Sequence, residues 1–406
     1  MFDKITSAKN IKEAYLEVLS GFYLDGKNNV YSGLDGLNIP SFDLTLNDLI
    51  WQIIEEIKSF KEIDPALNIF IPKKSNPDKN REIFIYSIKE RVKAQAIYRV
   101  IISRFEEIFS SRLFSYRPGK SPYRAAQLVA KRYRKFFRND YVFTADLSNF
   151  SGVIDREIML KKLPSVIDDK KVLKLLSLFI NNKFYYNGQF IKPEKGLVIG
   201  CPIFGLLTNF YLSDVDKKYS SLLKFYLRVG DDLIMLDPDK KKIDSFRDSF
   251  FEDVKELKLE LNKEKISCGS ACDHFSFLGY DFLNGMISLP HNYVKKIKSD
   301  FRSILVYKNY SQNKKIFILK KRADRLSSSF NYYFLNLTRN KPQLNDSEQI
   351  KELSEYFFEI LTEFIFTKYS PRNRRLLTIK LRDNNIDIKS LYQFFLDFHY
   401  ERNKKY

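Results

Sequence analysis

Three acids are the residues best placed to do chemistry in this chain. The tetrapeptide Val229-Gly230-Asp231-Asp232 lies between two apolar runs, Phe225-Tyr226-Leu227-Arg228 and Leu233-Ile234-Met235-Leu236. That pattern predicts a β-hairpin with the acids at its turn. A third acid, Asp146, ends the short apolar run Tyr141-Val142-Phe143-Thr144-Ala145. A strand end holds a carboxylate rigidly while leaving it accessible. Adjacent carboxylates among buried strands repel one another and lose hydration, so the arrangement calls for a neutralising cation. Mg²⁺ suits it, because that ion takes oxygen ligands and keeps waters and substrate phosphates in its shell. A solvated turn can also carry an Asp-Asp pair, so the reading depends on the surrounding elements.

Those elements read as a mixture of helices and strands. After the strand Tyr141–Leu147, the segment 148–155 turns into a helix over 156–163. Gly196-Leu197-Val198-Ile199-Gly200-Cys201-Pro202 is a Gly/Pro loop opening an apolar helix over 203–212, the kind of loop whose backbone can approach a ligand. Beyond the acid hairpin come a helix over 242–257, a strand and turn over 259–265 ending in Lys265, and an alternating strand over 275–282 with an Asn284-Gly285 turn after it. Upstream, Ile71-Pro72-Lys73-Lys74 and Arg81-Glu82-Ile83-Phe84-Ile85 predict a hairpin whose basic residues face one another, although lysines also guard sheet edges. A basic Pro-Gly loop, Ser115-Tyr116-Arg117-Pro118-Gly119-Lys120-Ser121, precedes a helix carrying Arg124, Lys131, Arg132, Arg134, Lys135 and Arg138. Phosphate contact or a solvated basic face would both explain it. Helices over 11–22 and 49–57 begin the chain, with Tyr31 to Leu37 as a turn between them. Basic helices over 293–305 and 314–335, a polar connector over 339–347, and helices over 350–366 and 391–399 end it.

Lys+Arg is 69 against Asp+Glu 50, a net charge of +19 over 406 residues. Such an excess favours a polyanionic partner, since basic surface releases the counterions of a phosphate backbone. No long uncharged apolar run predicts a membrane span, and the first residues lack the apolar core of a signal peptide. The three cysteines, Cys201, Cys268 and Cys272, suit a reducing, cytoplasmic setting. Cys268, Cys272 and His274 lack the fourth ligand that structural zinc requires.

The order of these motifs resembles the reverse transcriptases of bacterial type: group II intron, retron and defence-associated enzymes. The likeness spans roughly residues 30 to 335. Asp146-Leu147-Ser148-Asn149-Phe150 looks like the first catalytic motif. Leu197 to Asn209 aligns with L-P-Q-G-A-P-T-S-P-x-L-S-N, and Arg228-Val229-Gly230-Asp231-Asp232 with R-Y-A-D-D. Leu259 to Lys265 resembles the lysine-bearing motif, and Phe277-Leu278-Gly279 the primer-grip F-L-G. Ile71-Pro72-Lys73 with Arg81, Arg117-Pro118-Gly119-Lys120-Ser121, and Gly33-Leu34-Asp35-Gly36 resemble I-P-K…R, R-P-G-R-S and G-V-D-G.

The resemblance implies an α+β right-hand polymerase fold with an antiparallel palm sheet and a helical C-terminal extension. The expected division is fingers over 1–140 (with a triphosphate-gripping hairpin at 71–86), palm over 141–285, thumb over 286–339 and extension over 340–406. It implies RNA-directed DNA polymerase chemistry with two Mg²⁺ ions, Mn²⁺ being an alternative. Asp146, Asp231, Asp232 and the backbone of Leu147 would be the ligands. Lys265 would meet the leaving pyrophosphate. Lys73, Lys74, Arg81, Leu147, Phe150, Ser151 and Gly200 would contact the nucleotide. Arg117, Gly119, Lys120 and Phe277-Leu278-Gly279 would hold nucleic acid, as would the thumb cations Lys295, Lys296, Lys298, Lys320, Lys321 and Arg322. The partners implied are dNTPs, an RNA template or noncoding RNA, and the DNA product, with a homo-oligomer as a family option and no membrane.

Three departures from the pattern matter. Ser151 stands where a second aromatic normally blocks the ribose 2′-OH. Val198-Ile199 replaces Pro-Gln, and Val229-Gly230 replaces Tyr-Ala, giving the G-D-D of viral RNA polymerases. With the extension, these features are most like the abortive-infection type of antiphage defence enzyme. The alternatives are an RNA polymerase or sugar-relaxed, untemplated nucleotidyl transferase, and a non-catalytic RNA-binding protein. Retention of all three acids with Lys265 weighs against the last.

Overall fold

A computed structural model of the chain describes residues 1–24, 33–38, 45–73, 76–304, 310–324 and 330–403. By packing the chain forms two compact units. One comprises Met1–Ala125 with Asp140–Gly269, the other Ala126–Asn139 with Ser270–Tyr406. This grouping by compactness differs from the four-part division expected from the sequence.

The first unit holds two sheets. In one, β1 (Ala66–Lys73) pairs antiparallel with β2 (Asn76–Ile85) and parallel with β4 (Phe184–Tyr186), whose hairpin partner is β5 (Gln189–Ile191). The register sets Arg81 opposite Ile71 and Lys73 opposite Asn76, so the basic residues do not face one another across the ladder as the sequence suggested. In the other sheet the order is β6 (Phe225–Val229), β7 (Asp232–Asp237), β3 (Tyr141–Asp146), β8 (Ser267–Ser270). β3 and β7 are buried along nearly their whole length. That explains why both read as unbroken apolar runs rather than alternating ones. The helix Lys240–Glu256 follows β7, packs on both strands and is capped by Asp239, whose side chain accepts from Lys241 and Lys242 N–H. The helix Ile88–Glu106 is capped by Ser87, whose side chain accepts from Glu90 N–H.

The loop ahead of the helix Pro202–Tyr211 is fixed by close backbone packing. Gly196 adopts φ +79°, and a Cβ there would lie 2.3 Å from the Gly152 carbonyl oxygen. At Gly200 a Cβ would lie 2.4 Å from the Phe84 carbonyl oxygen. The close approach read from this glycine is therefore to the protein's own β2.

The second unit contains β9 (Phe275–Phe277), β10 (Tyr280–Leu283) and β11 (Met286–Ser288) as an antiparallel meander. The sequence read 275–282 as one strand; it is a hairpin, turning at Leu278-Gly279 with φ of +49° and +72°. Alternation on both sides of a two-residue turn keeps its period, which hides the turn from a period-2 reading. The Asn284-Gly285 turn forms as expected between Leu283 and Met286. Phe275 and Phe282 stack at 4.7 Å, with Tyr133 edge-on to both. Helices His291–Ile304, Phe330–Asn340 and Ser347–Phe366 meet through Phe301, Phe334 and Phe357, all fully buried. The expected helix over 314–335 is two, Gln312–Asp324 and Phe330–Asn340, and the helix Pro371–Asp383 had no counterpart in the sequence reading.

These glycines make opposite predictions about stability. Gly196→Ala adds a Cβ against backbone at a positive φ and should cost about 2–4 kcal/mol. Gly21→Ala, in the last turn of the helix Ala8–Leu24 with nothing within 4 Å of the new methyl, should instead gain about 0.5 kcal/mol. Denaturant melts of both variants check the pair, and equal effects would contradict the packing described.

Candidate metal centre

The hairpin that carries the acids is a two-residue turn closed by Val229 and Asp232. Gly230 sits at its first central position with φ +66°, as a primed hairpin turn requires. Nothing lies within 4 Å of a Cβ built on Gly230, so conformation rather than crowding selects glycine. β3 runs alongside with Asp146 directly opposite Asp232. Leu147 N–H donates to the Asp231 carbonyl at 3.1 Å, and Asn262 N–H to the Asp146 carbonyl at 2.8 Å, tying three segments together. One carboxylate oxygen from each of Asp146, Asp231 and Asp232 lies within 4.8 Å of the others. Asp146 is buried, Asp232 half-buried and Asp231 exposed, so the cluster opens to one side.

Repulsion is written into the protonation of the pair on the hairpin. Burial and then the charges of Asp231 and Asp146 push the Asp232 carboxyl up to about 7. Crowding by surrounding atoms and then the Asp146 charge raise Asp231 as well. Lys265 supplies partial relief, its Nζ donating to Asp146 Oδ2 at 2.7 Å. Burial alone would lower the Lys265 ammonium, but the bond to Asp146 and the charges of all three acids raise it. The segment bearing Lys265 is not a strand but an isolated bridge, Leu147 to Leu261, followed by a 3₁₀ turn over Lys263–Lys265 capped by Asn262. This arrangement of converging oxygens, open on one side, fits a hard divalent cation.

A buried clamp beneath the turn was not legible in the sequence. Arg228 and Asp216 are 1% and 0% exposed. Nε and Nη2 of Arg228 donate to the two Asp216 oxygens at 2.7 and 2.6 Å, and Nη1 donates to the Gly230 carbonyl at 2.7 Å. Tyr226 O–H completes Asp216 at 2.7 Å. Asp216 stands on the helix Ser213–Leu222, between two motifs and part of neither, so only the fold brings it in. The same region is braced by Asn209, whose side chain accepts from Ser115 Oγ and donates to the Ser115 carbonyl.

The remaining expected site residues fall into three groups. Leu147 and Phe150 are buried in the apolar core, whereas Ser151 is half-buried and its carbonyl accepts from Leu197 N–H. Arg81 is exposed on β2. Lys74 and the side chains of Lys73 and Arg322 lie outside the described residues, as do Tyr31 and Ser32 ahead of Gly33. In the basic loop, Arg117 has its guanidinium on Glu106 and on the carbonyls of Ser110 and Leu113, which holds the loop in place. Lys120 donates to the Ser111 carbonyl and lies over the Phe114 ring, while Gly119 supplies φ +69° for the turn. In the other unit, the Phe277-Leu278-Gly279 turn is held by Lys341, which donates to the Gly279 carbonyl at 2.7 Å.

A family model for reverse transcriptase (RNA-dependent DNA polymerase) matches residues 71–282, more than half of the chain and inclusive of all three acids, Lys265 and Gly200. The chain belongs to the reverse transcriptase family. It is 24% identical over 221 residues to the group II intron-encoded protein LtrA of Lactococcus lactis subsp. cremoris, covering 52% of this chain and 36% of that protein. The match therefore spans about a third of the length of this curated relative. Among solved structures, apo telomerase from Candida tropicalis is similar with TM-score 0.47 and 14% identity, covering 89% of this chain and 71% of that one. A partial Cas6-RT-Cas1–Cas2 complex is similar with TM-score 0.37 and 19% identity over 63% of this chain and 41% of that one. No described helix is long and apolar enough to cross a membrane.

Two outcomes follow from this geometry. A carboxyl raised from 3.8 to about 7 keeps its proton in the folded state where the unfolded state has lost it. Metal-free protein should therefore lose stability as pH rises from about 4 to 7. The full shift corresponds to at most about 4 kcal/mol, and partial exposure trims it to about 2. Thermal melts with a chelator should show this slope, and Asp232→Asn should flatten it; an unchanged slope would contradict the repulsion. Separately, Arg228→Lys keeps a charge but loses the fork and should cost about 3 kcal/mol. A melt within about 0.5 kcal/mol of wild type would remove the clamp from the account.

Proposed function

We propose that the chain is an RNA-directed DNA polymerase that joins dNTPs to a primer 3′-OH with release of pyrophosphate. The observation that carries this reading is the convergence of Asp146, Asp231 and Asp232 within 4.8 Å at paired strand ends. The three carboxylates would hold two Mg²⁺ ions, and Leu147 would contribute its backbone. Bound there, the ions would supply charge stabilisation for the attacking and leaving oxygens. Lys265 is 57% exposed and carries a raised pKa. Its ammonium stays protonated near neutrality and is free on its outer side to meet pyrophosphate charge. Arg81, exposed on β2, would orient the triphosphate as a planar fork. The partners in this reading are an RNA template or noncoding RNA and the DNA product. The setting is the bacterial cytoplasm and antiphage defence, supported by the likeness of Ser151, Val198-Ile199 and Gly230-Asp231-Asp232 to divergent members of the family.

A second reading, relaxed sugar choice, is favoured by one specific contrast. Phe150 is spent in the core, while the half-buried position next to it is a serine. A small side chain at that position cannot exclude a 2′-OH by bulk.

Primer extension on an RNA template with matched dNTP and NTP pairs tests both readings. Asp231→Asn should lower incorporation at least about a thousandfold without unfolding the protein, because it removes a charge from the metal centre. Wild type should discriminate only modestly between sugars, and Ser151→Phe should sharpen the preference for dNTP. Full activity in Asp231→Asn would defeat the polymerase assignment. Strong dNTP preference in wild type, unchanged by Ser151→Phe, would defeat the relaxed-sugar reading alone.

A further inference from the structure

The helical segment after residue 340 contains a cavity of about 530 Å³, lined by Phe358, Arg374, Thr378, Arg382, Asn385 and Asp387 among others. One wall is the helix Pro371–Asp383, which carries Arg372, Arg374, Arg375, Lys380 and Arg382 against the single acid Asp383. Arg374, Thr378 and Arg382 are spaced four apart and share a stripe of that helix, so they converge on the cavity together. The Arg374 guanidinium lies 4.1 Å over the Phe358 ring, forming a flat aromatic and cationic platform. Its only side-chain hydrogen bond among the described residues is to Thr378 Oγ1, at 3.3 Å, and no carboxylate there pairs with it. Arg372 and Arg375 are exposed beside it. Arg372 stands in the first turn, where the helix dipole disfavours cations and no acid compensates it, and Arg375 follows directly after that turn. A stretch built for stability would carry the opposite charge there, and this one accumulates positive charge around an aromatic-floored cavity.

We propose that this cavity receives one unstacked base of a single-stranded nucleic acid, whose phosphates run over Arg372, Arg375 and Arg382. Every base has a π-face and can stack on the Phe358–Arg374 platform, and the cations track the backbone on either side. Thr378, Asn385 and Asp387 place hydroxyl, amide and carboxylate groups on the wall, where a base edge would lie. The volume admits a group of that size, within the usual range for ligand cavities. A duplex keeps its bases stacked inside and cannot offer one to the cavity. The cavity belongs to the second unit and the acid triad to the first, and neither reading depends on the other.

Photocrosslinking of the full chain to a short oligouridine bearing thiouridine, followed by peptide mapping, tests the proposal. A matching DNA oligonucleotide serves as a parallel probe for strand chemistry. Crosslinks should fall on Phe358 or within 374–388, and unlabelled single strand should compete where duplex does not. The exposed pair Arg375→Ala with Arg382→Ala, which leaves the buried helix face intact, should reduce those crosslinks about tenfold. Phe358→Leu should reduce them with the same circular-dichroism melt as wild type. Crosslinks elsewhere in the chain but none in this segment would overturn the proposal and leave the polymerase reading standing. So would crosslinks here that neither variant diminishes, equal competition by duplex, or equal competition by a nucleoside monophosphate. Absence of crosslinks anywhere in the chain would overturn both.

Discussion

Mutual repulsion among three carboxylates is the constraint on which this structure turns. Asp146, Asp231 and Asp232 bring negative charge together within 4.8 Å, partly out of water. Nothing in protein folding favours that on its own, and the raised carboxyl of Asp232 records the strain. The acids stay together because the backbone gives them no freedom to separate. Asp146 and Asp232 are directly paired across β3 and β7, and the Asp231 carbonyl is bonded to Leu147 N–H. A site that stores repulsion in this way is prepared for a cation before one arrives, which is the logic of electrostatic preorganisation.

The surrounding architecture holds the repelling group still. The Arg228 fork spans Asp216 and the Gly230 carbonyl, so the turn is anchored from below by a charge pair with almost no contact with water. Burying that pair offers little net stability compared with an apolar core. Its value here is directional, since it fixes where the turn carbonyl and hence the acids point. Lys265 hydrogen-bonds Asp146 and reaches Asp231 and Asp232 through charge only, and Asp231 stays exposed. The loop over 196–201 closes against Gly152 and β2, which positions Ser151 beside the core-bound Phe150.

Much of this was legible in the sequence, for physical reasons that also explain the rest. The strands bearing the acids are buried on both faces and announce themselves as apolar runs, and Gly230 marks the turn between them. Local motifs therefore gave the triad, Lys265 and the family. Asp216 was not legible, because its partner comes from a hairpin reached only through tertiary packing and an isolated acid on a helix reads as solvated surface. The contacts of Arg117 were hidden for the converse reason. Its basic loop looks like a phosphate site in one dimension, and Glu106 on the preceding helix absorbs it in three. The Leu278-Gly279 turn escaped because β9 and β10 alternate in phase across it, and a bulky residue at φ +49° is not the expected turn residue. The helix Pro371–Asp383 escaped because its many arginines mask the buried Leu377 and Leu381 that seat it.

The central claim is that the three carboxylates form a divalent-cation site. Electron paramagnetic resonance of Mn²⁺ titrated into the protein with a bound dNTP counts the ions held there most directly. The account predicts two tightly held ions in the wild type and loss of both signals in Asp146→Asn, with the fold unchanged. Mn²⁺ that stays free in the wild type, or binding that survives Asp146→Asn undiminished, would contradict it.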